Sequence, residues 1–259
     1  MICLSKNLAD MYVNMFAKGS NSVIKDYDYD YGDEEILIRG LGKKLLIRKC
    51  LEKKHNFYYM DSGYVGNWPN PNNPNGIKLW HRIVKNNLQH SAIINRPSDR
   101  WNKLNYPIYP RKQGSFILLV TPSEKPCKFY KINRNEWIKN TCNLIKKYTD
   151  RPIKIRDKII DRPSRMKQPI FADLKDCHAL VTYQSIAAIE SVLFGVPAFT
   201  LADTAADPVC DKDLSMIEHP TKQDTDKIYR WACHLSYGQF NLTELQNGVA
   251  YKILKETNE

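Results

Sequence analysis

Residues Asp176 to Pro197 read DCHALVTYQSIAAIESVLFGVP. Ala179-Leu180-Val181-Thr182 is a short apolar run, the pattern of a strand covered on both faces. Ser185 to Phe194 reads as a helix, and Gly195 followed by Pro197 is the punctuation expected at a helix C-terminus. Val196-Pro197-Ala198-Phe199-Thr200 then returns to a strand. The stretch therefore predicts a buried strand, a polar turn, a helix beginning near Gln184 or Ser185, and a second strand. Helix N-termini present free N–H groups and the positive end of a dipole, which suits phosphate. Ligands of open α/β sheets lie beyond the carboxyl ends of the strands. Thr182, Tyr183, Gln184 and Ser185 occupy that position. Plain capping by Thr182 or Ser185 is the competing account of the same residues.

The pattern extends outward on both sides. Phe116-Ile117-Leu118-Leu119-Val120 is a continuous apolar strand ended by Thr121-Pro122-Ser123. Asn135 to Tyr148 is helical, and Asp150-Arg151-Pro152 stops it. Ile153 to Lys158 alternates apolar and charged residues. This β-α-β-α-β rhythm predicts a parallel sheet with helices on both faces. In the first half, strands are expected at 35–39, 56–60 and 77–84, with an amphipathic helix over 43–54. The run Asn67 to Gly76 is a loop, and 96–114 reads as an extended linker. The fold class expected is α/β and GT-B-like: two Rossmann-like parallel-sheet halves with a cleft between them. The expected divisions are 1–110, 111–235 and a C-terminal helical segment, 236–259.

The chain has 259 residues, 42% of them apolar and 26% charged, which excludes global disorder and fibrous repeats. No apolar run reaches the ~20 residues of a membrane span. The N-terminus lacks a signal-peptide pattern, and seven cysteines form no CxxC pair. A cytoplasmic protein with reduced thiols is the expectation. Six histidines show no HxH or HxxxH spacing, which speaks against zinc. Gly40-Leu41-Gly42 lacks the third glycine of a nucleotide-binding loop, which speaks against kinase and dehydrogenase chemistry. Charge is concentrated: residues 111–175 hold seventeen basic and six acidic side chains, an excess equal to the +11 of the whole chain. Such a segment favours an anionic partner, either nucleotide phosphates, nucleic acid or an acidic polysaccharide.

The stretch VTYQSIAAIESVLFGVPAF resembles the nucleotide-sugar-binding half of GT-B-type glycosyltransferases. It is closest to the phage and bacterial capsule-polysaccharide-like group. That group has a strand ending in Thr, a Ser opening the helix, a Glu within it, and Gly-x-Pro before the next strand. Thr182, Ser185, Glu190, Gly195 and Pro197 match those places. Ile153 to Lys158 resembles the basic strand end that precedes the signature, without the His-Pro that usually follows it. The resemblance covers roughly residues 115–205. It implies a metal-independent enzyme with a nucleotide-sugar donor and no separate cofactor. Ser185 and the backbone at Gln184–Ser185 would hold the donor diphosphate, and Glu190 would reach the ribose hydroxyls. Arg156 and Lys158 would neutralise the leaving nucleotide.

Glycosyl transfer also needs a base for the acceptor hydroxyl. Asp61, which follows a strand and precedes Gly63, is the expected base, ahead of Asp33 and His81. The acceptor expected first is a modified base in phage-type double-stranded DNA. Lys125, Lys128, Lys131 and Arg134 interleave with Phe129 and Tyr130, as in nucleic-acid grips. A surface glycan is the alternative acceptor. A non-catalytic nucleic-acid-binding protein with a transferase-like fold is the reading from a different class.

Overall fold

The computed structural model describes residues 1–7, 9–67, 77–157, 168–222 and 224–256. It divides into two compact units: residues 1–90 with 236–259, and residues 91–235.

The first unit is built on a six-stranded sheet. Its strands are β1 (Ile2–Leu4), β2 (Val23–Lys25), β3 (Ile36–Arg39), β4 (Phe57–Ser62), β5 (Trp80–Lys85) and β10 (Gln239–Asn241). The spatial order is β10-β5-β4-β3-β1-β2. β2, β1, β3 and β4 are parallel neighbours, as the alternation of strands and helices predicts. β5 and β10 run antiparallel to what they pair with, so this sheet is mixed rather than wholly parallel. No crossover helix separates β4 from β5 among the described residues, and an antiparallel neighbour needs none. Helices α1 (Met11–Gly19) and α2 (Lys44–Glu52) complete the βα rhythm. Asp10 caps α1 by accepting from Tyr12 N and Val13 N, at 3.1 and 3.3 Å. The last residues do not stand apart: β10 joins the sheet edge, and Phe240, Leu245, Ala250 and Leu254 enter the same core as Phe16, Leu37 and Tyr58. Each such large apolar side chain contributes roughly 1.5–3 kcal/mol by leaving water.

The second unit contains the Asp176–Pro197 stretch. Its strands are β6 (Phe116–Val120), β7 (Ile153–Arg156), β8 (Cys177–Thr182) and β9 (Ala198–Thr200). They form a wholly parallel sheet in the order β7-β6-β8-β9. The segment expected as a linker is partly helical: α3 (Asp99–Leu104) buries Trp101. Beyond β6 lie α4 (Glu124–Tyr130) and α5 (Arg134–Ile145), and between β7 and β8 lies the short α6 (Ile170–Leu174). α7 (Ala187–Leu193) joins β8 to β9 and is buried on almost every side. Helix α8 (Thr225–Tyr237) precedes β10, and α9 (Leu242–Gln246) and α10 (Val249–Glu256) close the chain. The core of this unit sets Ile117, Leu119, Ala179, Val181 and Phe199 against Ile145, Leu214 and Ile217.

Gly195 ends α7 in a Schellman arrangement. Its φ is +80°, Gly195 N donates to Val192 O, and Val196 N donates to Ser191 O. A Cβ there would lie 2.0 Å from Pro110 O. Residues 109–112 run along this helix end, with Tyr109 N donating to Leu193 O and Lys112 N to Gly195 O. The Gly-x-Pro signature therefore has a folding role of its own. All seven cysteines are free thiols, and among the described residues no helix is long and apolar enough to cross a membrane.

Candidate functional site

Parallel register puts four strand ends of the second unit in one row. Val120 is paired with Arg156 on one side and with Thr182 on the other, and Thr182 is paired with Thr200. This row is the carboxyl edge at which α/β sheets take ligands.

The loop after β8 supplies the donors. Thr182 itself is fully buried, and its Oγ1 donates to Val120 O at 2.9 Å, so its hydroxyl stitches β8 to β6. Ser185 Oγ accepts from Ala187 N at 3.2 Å. The helix starts at Ala187, two residues beyond Ser185. The backbone N–H groups of Gln184, Ser185 and Ile186 meet no acceptor among the described residues. Successive unmatched N–H groups beyond a strand end are available to an anion. Gln184 braces it, with Nε2 donating to Tyr130 Oη at 3.1 Å and to Asp203 O at 3.3 Å.

The neighbouring loops are latched. Thr121 Oγ1 donates to Asp157 Oδ1 at 2.7 Å, and Arg134 donates to Thr121 Oγ1, Pro122 O and Asp157. This ties the turn after β6 to the turn after β7. Thr121 and Arg134 thus hold loops together.

Arg156, the last residue of β7, forms an ion pair with Asp173 of α6, and its Nη2 donates to Gln168 O at 2.7 Å. Glu190 lies half-buried on α7. Burial pushes its carboxyl up to about 7, against the opposing field of Arg156. Tyr106, from the stretch after α3, is shifted upward by burial and then by the charge of Glu190. Its ring stands 6.4 Å from Phe171, which stands 5.5 Å from Phe194. Glu190 thus lies within the field of Arg156, whose ion-pair partner is Asp173, and Tyr106 lies within the field of Glu190. Neither Asp173 nor Tyr106 was legible: α6 is five residues long, too short for a periodic signal, and Tyr106 sits in a segment without regular structure. Lys158 lies outside the described residues.

In the first unit, Asp61 sits near the end of β4. Its carboxylate accepts from Tyr59 Oη at 3.0 Å and from Ser62 N at 2.7 Å, and it pairs with Arg82 at 3.5 Å. Burial alone would raise its pKa, but Arg82, Lys78 and these donors outweigh it and hold the carboxyl at about 2. His81 is fully buried, and burial with the Arg39 charge lowers it to about 4. Asp33 is exposed before β3.

The residues read as a nucleic-acid grip are placed differently. Phe129 is buried in the core, Tyr130 is engaged by Gln184, and Lys128 pairs with Glu124 one helical turn away.

Two solved structures from Thermosulfurimonas dismutans share this architecture. The KpsC beta Kdo 2,4 transferase superposes with a TM-score of 0.55 at 11% sequence identity, covering 90% of this chain and 89% of that one. The chain shares the fold of that transferase. The KpsC beta Kdo 2,7 transferase superposes with a TM-score of 0.51 at 11% identity, covering 97% and 98%. The capsule-polysaccharide-like resemblance of the 115–205 stretch is thus matched, as a fold, over most of the chain. No protein-family model matches the chain, and no curated protein matches its sequence.

Proposed function

We propose that the chain is a glycosyltransferase that moves a sugar from a nucleotide-sugar donor to a hydroxyl of a surface glycan. The observation that supports this reading is the row of strand ends Val120, Arg156, Thr182 and Thr200, with the Arg156 guanidinium at one of them, the Gln184–Ile186 loop just beyond another, and Glu190 of α7 within the field of Arg156. The N–H groups offer fixed dipoles to the donor phosphate. Arg156 offers the positive charge that stabilises the departing nucleotide, the role a metal plays elsewhere. Glu190, with a proton affinity near neutrality, suits the ribose hydroxyls because it both accepts and donates hydrogen bonds. Asp61 is the proposed base. Its low pKa makes it a weak base at rest, so it takes the proton only as the attacking hydroxyl turns acidic in the transition state.

The glycan acceptor is favoured because both similar solved structures are named as Kdo transferases. DNA is the second reading, supported by the positive excess of residues 111–175. The burial of Phe129 and the Lys128–Glu124 pair weaken it.

Mass spectrometry of acceptors incubated with the chain and a panel of nucleotide sugars tests both. Glycan oligosaccharides that gain one sugar residue support the proposal, provided that Asp61→Asn slows transfer by about a hundredfold or more. Transfer to modified DNA but to no glycan reverses the choice of acceptor. No transfer to any acceptor, with no nucleotide binding, removes the enzymatic reading.

A further inference from the structure

We infer that Asp173 is a positioning residue that keeps Arg156 at the donor edge of the second unit and off Glu190. The inference rests on the donor-site reading above and assigns a role to a residue outside the motif that suggested it.

A guanidinium carries five N–H donors in a planar fork. Asp173 takes one from Nη1, and the Gln168 carbonyl takes one from Nη2 at 2.7 Å. The fork meets no other partner among the described residues, which leaves donors for another anion. Two carboxylates compete for this one cation. Asp173 has 38% of its side chain exposed, so water supports its charge. Glu190 is half-buried and its carboxyl forms no hydrogen bond among the described residues, although it lies within the field of the same guanidinium. An ionised carboxylate in that state is costly, and capture of Arg156 would relieve it. Helices α6 and α7 pack side by side, so the two acids sit on neighbouring helices.

Asp173 decides the competition. With Arg156 held on α6, one side of the fork is left for phosphate, and Glu190 is left to meet neutral hydroxyls. Without the Asp173 charge, Arg156 turns to Glu190. A closed Arg156–Glu190 pair removes both groups from the donor at once.

The test is a double-mutant cycle on the full chain, read by titration calorimetry. The probes are CMP, UDP, GDP and thymidine diphosphate, and the tightest-binding one is carried through the variants. Asp173→Asn is expected to weaken binding about tenfold, as for charged neighbours that couple strongly. Asp173→Glu, which keeps the charge, is expected to recover most of that loss. In a Glu190→Gln background, Asp173→Asn should cost less than about twofold, because the competing acid is gone. Thermal melting confirms that each variant is folded, and Asp173→Ser supplies the same cycle if Asp173→Asn melts early. Equal affinity for the native chain and Asp173→Asn overturns the assignment. So does the same loss in both backgrounds, which is the signature of a merely structural ion pair. No binding of any of the four nucleotides by the native chain overturns the donor-site reading itself, and the inference falls with it.

Discussion

Asp61 and Arg82 stand directly opposite each other across the antiparallel β4–β5 pair, their charged groups 3.5 Å apart. Arg82 is nearly buried and also donates from Nη1 to Ser62 O at 2.9 Å, so the partnership is fixed from both sides. The folded-state pKa of Asp61, about 2, lies below its ordinary value of 3.8. The stability this provides is present above the ordinary value and lost as pH falls through the folded one. Melting temperature should therefore drop between about pH 4 and pH 2, and Asp61→Asn should flatten that part of the profile. With the side chain about a third exposed, the contribution is on the order of 1 kcal/mol. An unchanged acid limb in Asp61→Asn would show that the pair has no such effect.

Glu190 has the opposite sign. Burial raises its carboxyl from 4.5 to about 7, so the folded chain prefers it protonated. The cost of ionising it is absent below the ordinary value and grows as pH rises through the folded one. Glu190→Gln should melt with the native chain near pH 4 and above it near pH 8, by on the order of 2–3 kcal/mol. Parallel melting profiles across that range would contradict the assignment.

Gly195 combines a left-handed φ with the close approach of Pro110 O. A methyl group there strains the backbone and displaces the 109–112 segment from α7. Gly195→Ala should destabilise by about 2 kcal/mol or more, measured by denaturant unfolding. Nucleotide affinity per folded molecule should change little, since the residue lies at the opposite end of α7 from Ser185. A variant as stable as the native chain would remove the folding account of the Gly-x-Pro signature.

Charge reversal of Lys128 and Lys131 separates the acceptor readings. Lys128 already pairs with exposed Glu124, and Phe129 is buried in the core. Duplex DNA binding, followed over a salt series, should show little difference between the native chain and Lys128→Glu with Lys131→Glu. A salt slope that falls by about one for each lysine reversed would restore DNA as a partner.

Local pattern was enough to place the second sheet. The apolar run 116–120, the alternation at 153–156 and the 179–182 strand each carry their own pattern, and the spacing between them suits parallel crossovers, as the pairing shows. Arg156 and Glu190 were legible as strand-end and helix residues because regular elements fix where their backbones lie. β1 and β10 were not. Three residues are too few for a period, and each becomes a strand only because a neighbouring edge offers it hydrogen bonds. The same limit hid Asp173, whose helix is a single turn, and it misplaced Phe129, whose spacing among lysines reads as surface until the core claims its ring. The amino-acid sequence by itself determined the α/β rhythm, the parallel 116–200 sheet and the position of the candidate donor loop. The tertiary structure alone decided which charges meet, because ion pairs such as Arg156–Asp173 and Asp61–Arg82 join residues 17 and 21 positions apart on different elements. Pairing of that kind depends on packing and register, which no local window of sequence contains.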